Sequence, residues 1–249
     1  FRARRLFPRG DLQYLRYQED GPLNVNSIRT SEVAINTRYA FREKHVSGTF
    51  RRVSLGTKYP AFELHTAFGV PKLFDSDHEY QKVVLQVSQR VPTGALGNLR
   101  YTAEVGRIWG TLPYPLLIVH PGNETFYYDE GAYNTMNFFE FISDRYASVR
   151  LQQHFDGFFF NRVPLFRRLK WREVIGVKAV IGELDGKHSN ELVLLPIMRR
   201  LSEGPFVEAS AGVENILKVL RVDGIWRLTY RDSPRASNFA LRMKLTINF

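Results

Sequence analysis

Residues 239–249 alternate between apolar and polar without a break. Phe239, Leu241, Met243, Leu245, Ile247 and Phe249 stand against Ala240, Arg242, Lys244, Thr246 and Asn248. A period of two is the mark of a strand with two unlike faces. Eleven such residues, tilted, match the ~9–11 that a strand needs to cross a bilayer. A chain that alternates this strictly must fold into a sheet with one greasy and one polar surface.

The same pattern recurs along the 249 residues and predicts about ten strands, at 31–44, 49–56, 61–70, 80–90, 98–110, 142–156, 171–184, 206–214, 219–231 and 239–249. Arg107 and Ile108 break the alternation and suggest a bulge. Val213, Ile216, Leu217 and Leu220 also fit a helical face, so a short helix competes with a tight turn there. Pro113, Pro115 and Pro121 exclude regular structure from the start of a long loop at 111–141. Residues 1–30 read as a periplasmic lead-in or as incomplete strands.

Composition separates few classes. Mean hydropathy is −0.27, and no apolar run approaches the ~18–20 residues of a membrane helix. A membrane barrel escapes that test, because only every second residue faces lipid. The 19 Phe, 12 Tyr and 3 Trp suit interfacial girdles. With no cysteine, disulfides, thiolate metal sites and a Cys nucleophile are excluded. The net charge of +10 is spread along the strands rather than clustered, which argues against nucleic acid. The chain starts on Phe1 rather than Met and is expected to be a piece of a longer protein.

A soluble barrel turns its apolar face inward, and a membrane barrel turns it out. Three features favour the second. The polar faces mix long charged side chains with Gly69, Gly106, Gly176, Gly182 and Gly212. Aromatics sit near strand ends at Tyr39, Phe41, Trp109, Tyr230, Phe239 and Phe249. The final strand ends on an aromatic, as in many outer-membrane barrels, where the barrel-assembly machinery reads that end. With the C-terminus in the periplasm, the connections at about 231–238, 185–205, 111–141, 71–79 and 44–48 fall outside the cell. Those at about 214–218, 156–171, 91–98 and 56–60 fall in the periplasm, so the two longest loops share the outer side, as barrels require. The fold class is therefore an all-β antiparallel transmembrane barrel over 1–249, about ten strands of a larger one.

Several stretches resemble an uncharacterised outer-membrane family of Bacteroidota. They are Arg52–Pro60, Gly110–Leu117, His120–Glu124, Phe141–Ser148, Leu169–Glu173 and Trp226–Tyr230. Members of that family carry a carboxypeptidase-regulatory-like domain ahead of a C-terminal barrel, and the barrel is distantly similar to the surface-antigen barrels of outer-membrane assembly factors. The resemblance implies the fold and the outer membrane. It does not transfer an activity.

Function follows less directly. The first expectation is a non-enzymatic outer-membrane protein, serving envelope biogenesis or solute passage, without cofactor or metal. Its partners would be the bilayer, the barrel-assembly machinery through Leu245, Ile247 and Phe249, and envelope proteins. Arg38, Arg42, Arg150, Arg227, Arg242 and Lys244 are expected to line the lumen. Trp109, Pro113, Tyr114, Pro115 and His120 mark a stiff loop that either closes over the mouth as a constriction or partner contact, or lies exposed. One alternative is a barrel hydrolase using Asp75, Asp77 and His78 at the rim. Another is a soluble β-rich binding module.

Overall fold

The computed structural model describes residues 1–10, 12–18, 21–48 and 52–245. Its main element is one antiparallel sheet of ten strands. These are β1 (Arg2–Leu6), β2 (Ile28–Ala40), β3 (Ala61–Gly69), β4 (Tyr80–Pro92) and β5 (Asn98–Gly110). They continue with β6 (Arg145–His154), β7 (Arg172–Glu183), β8 (Phe206–Ile216), β9 (Leu220–Arg227) and β10 (Phe239–Leu245). Each strand pairs with its neighbours in chain order, an up-and-down meander. Among the described residues β1 and β10 do not pair, so they are the edges of an open sheet.

Connections gather at two ends. The segments 7–27, 70–79, 111–144, 184–205 and 228–238 lie at one end, here the loop end. The segments 41–60, 93–97, 155–171 and 217–219 lie at the other, the turn end. The helix α1 (Pro164–Leu169) belongs to the turn end.

Three expectations are corrected, and the choice between helix and turn at 213–220 falls to the turn. The segment at 49–56 is not a sheet strand: Arg52–Gly56 pairs with Lys44–Ser47 in a separate hairpin. Residues 44–48 therefore lie at the turn end with 56–60, not opposite them. Arg2–Leu6 takes the vacant place in the sheet, and Leu15–Gln18 with Gly21–Asn24 forms a hairpin at the loop end. The register of β5 runs unbroken against both neighbours, so no bulge exists at Arg107 and Ile108. Polarity inverts there for another reason. Arg107 turns to the rim of the convex face, and Ile108 turns inward onto the apolar core of the loops. No helix forms at 213–220. β8 continues to Ile216, and Asn215, Leu217 and Lys218 take left-handed conformations in the turn.

The two faces differ as the alternation demands. In-register neighbours Thr37, Leu64, Leu85, Val105, Ala147 and Ile181 form one row on the convex face. Tyr39, Phe62, Val87, Ala103, Val149, Ala179 and Val207 form the next. Trp226 is 44% exposed and Leu245 58% exposed on that face, whereas Arg227 on the other is 2% exposed.

Two apolar clusters are buried, and both are built on loops. Leu112, Tyr114, Leu116 and Ile118 pack with Leu192, Leu195, Tyr80 and Ile108 at the loop end. Tyr133, Met136 and Phe141 pack with Leu201, Val180 and Phe206 on the concave face.

The concave face and the segment that fills it

Residues 111–144 fold back onto the concave face of β6–β10. A buried loop must satisfy its own backbone polar groups. Here the strands supply charged partners. Lys178 donates to the carbonyls of Asp129 (2.8 Å) and Ala132 (2.5 Å). Arg150 donates to Gly131 O (2.7 Å). Arg242 donates to Asn123 O and Asn134 O, both at 3.0 Å. Glu208 accepts from Asn134 N (3.0 Å), Thr135 N (2.9 Å) and Thr135 Oγ1 (2.8 Å).

Arg227 holds the centre. Its guanidinium donates to Glu140 at 2.5 and 3.1 Å, to Thr135 O at 3.0 Å and to Thr229 O at 3.2 Å. Its plane also covers the Phe206 ring at 4.9 Å. Tyr128 is gripped in the same way. Arg221 and Lys178 lie 4.6 and 5.0 Å from its ring, and its hydroxyl accepts from Gln152 at 2.5 Å. Burial raises the Tyr128 and Tyr133 phenols above their ordinary range.

The loop also reaches an edge. Tyr128 N donates to Met243 O (2.7 Å), and Met243 N donates to Phe126 O (3.1 Å). This parallel bridge covers part of the outer edge of β10.

Small residues leave room for this filling. A Cβ on Gly182 would collide with Ser143 of the loop, and one on Gly106 would collide with the Tyr146 ring. Gly69, Gly176 and Gly212 stand in the same relation to Tyr80, Ser210 and Asp223.

The residues singled out from the sequence scatter around this arrangement. Arg150, Arg227, Arg242 and Lys244 lie on the concave face, where Lys244 pairs with Glu130 at 2.7 Å. Their hydrogen bonds go to the loop rather than to open lumen. Arg38 is half-exposed on the uncovered half of that face, paired with Glu43 (2.7 Å) and Glu63 (3.2 Å). Arg42 is not on the concave face. It sits in the turn after β2, with its guanidinium 5.3 Å from the Phe41 ring. Trp109 does not join the loop either. It projects from the convex rim, with Arg107 5.1 Å from its ring.

Pro113, Tyr114 and Pro115 form a turn at the loop end, beneath the N-terminal hairpin. Tyr114 donates to Gln13 O (3.0 Å) and packs edge-on to Tyr14, and burial pushes its phenol up to about 12. His120 is 2% exposed. Its Nε2 meets Ser143 Oγ at 2.9 Å, its ring packs edge-on to Tyr146, and burial pushes it down to about 4. Leu245 is the last described strand residue. Ile247 and Phe249 lie outside the described residues. Tyr230 turns inward rather than joining an outer girdle, with its ring 4.9 Å from Phe141.

Asp75, Asp77 and His78 are not brought to one point. The Asp75 carboxylate pairs with Arg29, outside the cavity that Asp77 and His78 line. Burial lowers the His78 pKa. Among the described residues no group of three or more His, Asp or Glu could hold a metal ion.

Sequence reasoning missed a second pairing. His188 Nδ1 accepts from Leu112 N (3.1 Å), and its Nε2 meets Asp144 at 3.3 Å. Together with the His120–Ser143 contact it resembles hydrolase parts. Ser143 has 0% exposure, however, so no substrate can reach it. Both contacts pin the loop to the start of β6.

Residues 16–192 match the family described as "Family of unknown function (DUF5686) C-terminal domain". The chain belongs to that family. The match contains the whole filling segment and β2–β7. It stops before β8–β10, which supply Glu208, Arg227 and Arg242. No curated protein matches the chain.

Proposed function

We propose that this chain is the wall of an outer-membrane β-barrel whose interior is closed at rest by its own 111–144 segment. It is a non-enzymatic protein of envelope biogenesis or gated solute passage. One observation carries the reading: the convex face is an apolar band bounded by acids on β7, with an exposed charged rim at the loop end. On β7 the residues on this face are Glu173, Ile175, Val177, Ala179, Ile181 and Glu183, of which Glu183 is exposed and Glu173 is buried, its carboxylate accepting from Phe160 N of the turn end. At about 3.3 Å per residue, the ten steps between the acids span roughly 33 Å. Tilted by about 45°, they give a band of roughly 23 Å, close to the ~25 Å of known barrels. Arg107 and Arg145 stand level with Glu183 in the register, completing one rim across three strands.

A soluble protein does not leave Ile35, Phe62, Val105, Ile181, Trp226 and Leu241 contiguous and exposed. In lipid every strand edge must also be paired. The reading therefore requires further strands against β1 and against the part of β10 that residues 126–128 leave open, or their displacement from Met243, to close the wall. Insertion would proceed through the barrel-assembly machinery, guided by the C-terminal sequence with Leu245, Ile247 and Phe249. The filled concave face favours a closed resting state over free diffusion.

Refolding into detergent and phospholipid vesicles tests the reading. Heat-modifiable gel mobility and co-flotation with vesicles are expected. A monodisperse, detergent-free solution state would refute it, and would favour the soluble module.

A further inference from the structure

At the turn end, below the filling segment, the concave face opens into a cavity of about 310 Å³. That is at the low end of the ~300–1,000 Å³ of small-molecule sites. Its wall carries six cations: Arg90, Arg100, Arg172, Lys218, Arg221 and Lys244. Three carboxylates, Glu130, Asp156 and Glu214, stand against them.

The pairings are specific. Lys244 meets Glu130 at 2.7 Å, Arg172 meets Asp156 at 3.5 Å, and Arg221 meets Asp223 at 2.7 and 2.8 Å. Glu214 is taken by His154 Nδ1 at 3.1 Å. Arg90 donates to the neutral Asn98 side chain at 3.0 Å. Arg90, Arg100 and Lys218 thus have no carboxylate partner among the described residues. One further polar atom at this wall, His154 Nε2, is buried without a hydrogen-bond partner.

Elsewhere on the concave face Arg150, Lys178, Arg227 and Arg242 are matched by acids or loop carbonyls. Here three cations without a carboxylate partner, Arg90, Arg100 and Lys218, line one empty volume. A cleft with an excess of one sign of charge concentrates the opposite ion, and guanidinium groups match phosphate oxygens in a bidentate manner.

We infer that this cavity binds a multivalent phosphate-bearing anion, with Arg90, Arg100 and Lys218 as its principal contacts. The anion is a soluble one, because the cavity lies on the concave side, away from the apolar band. The inference goes beyond the membrane reading and stands on the concave face alone.

The test is calorimetric titration of the folded full chain with pyrophosphate, and separately with short-chain phosphatidic acid. Saturable pyrophosphate binding is expected, weakened at least tenfold in R100Q/K218Q. R167Q/R168Q removes the same charge from exposed α1 positions outside the cavity and should leave binding unchanged. Binding of phosphatidic acid alone, with the same R100Q/K218Q dependence, would overturn the soluble source and keep phosphate recognition. No saturable binding of either, or equal weakening by the α1 variant, would overturn the site.

Discussion

Replacing Arg227 with methionine should free the loop without unfolding the sheet. Arg227 makes two bonds to Glu140 and one each to Thr135 O and Thr229 O, with almost no exposure. Methionine keeps much of the volume and removes every donor. Glu140 is then left 3% exposed with one remaining donor to its carboxylate, Asn137 N at 2.8 Å. Removing one member of a buried ion pair costs about 3–5 kcal/mol, because the survivor is left uncompensated. The cost falls on the attachment of 132–142 to the strands, so the released form should rise by roughly 150- to 5,000-fold, at about 1.4 kcal/mol per tenfold. Amide hydrogen exchange reads such local opening directly. Peptides over 120–143 should exchange faster by about 2.2 to 3.7 decades in R227M, while β2–β4 keep their protection. R38M, which removes an exposed pair, should change little, since such pairs contribute ~0–1 kcal/mol. R227M/E140Q should recover part of the loss, as the stranded charge is gone. Unchanged exchange over 120–143 in R227M, or equal damage from R38M, would refute the reasoning.

His120 sets a pH dependence. Its folded pKa of about 4 lies below the ordinary value of 6.5, so its contribution is complete above pH 6.5. It is lost as pH falls from 6.5 towards 4, because only the released form takes the proton, and it amounts to about 2 kcal/mol at pH 5. The loop-exchange profile of the wild type should steepen in that window, and that of H120N should be flatter. Ile181→Arg, in the middle of the convex band, should impair folding into vesicles by about 2–4 kcal/mol, measured by urea titration of gel-shifted protein. Gly106→Val should destabilise by about 1–3 kcal/mol through overpacking against Tyr146. Adding Tyr146→Ala should remove much of that cost, which a double-mutant cycle would show.

Strands β2–β10 and the faces of their residues were legible, because burial on one side writes a period of two into the sequence. The hairpin at 44–56 was misread for the same reason. Arg51, Val53 and Leu55 share one face, which makes the segment ambiguous, and a local pattern does not say which partner a strand takes. Arg2–Leu6 has too many arginines to show a face. It pairs only at an edge, where Arg2 and Arg4 reach the buried Glu32.

The filling of the concave face was legible only as a possibility, and the reason is chemical. Proline and aromatic content marked 110–123 as stiff, yet most of the contact comes from 123–140. That stretch binds mainly through main-chain groups: the carbonyls of Asn123, Asp129, Gly131, Ala132, Asn134 and Thr135 and the amides of Asn134 and Thr135. Every residue type carries those groups, so the letters of the loop cannot announce them. Part of the strand side was visible as Arg150, Arg227, Arg242 and Lys244, whereas Lys178 and Glu208 were not singled out. A charge that faces open water and a charge that caps a carbonyl look alike in sequence. What separates them is whether backbone arrives within 3 Å, and only a segment long enough to reach the concave face can bring it. The clue that was available is the combination itself: over thirty residues of irregular chain, joined to strands whose polar faces carry buried-capable charge and glycine on the same side. Read together, those two facts call for a loop that enters the sheet's concavity rather than one that lies on the surface.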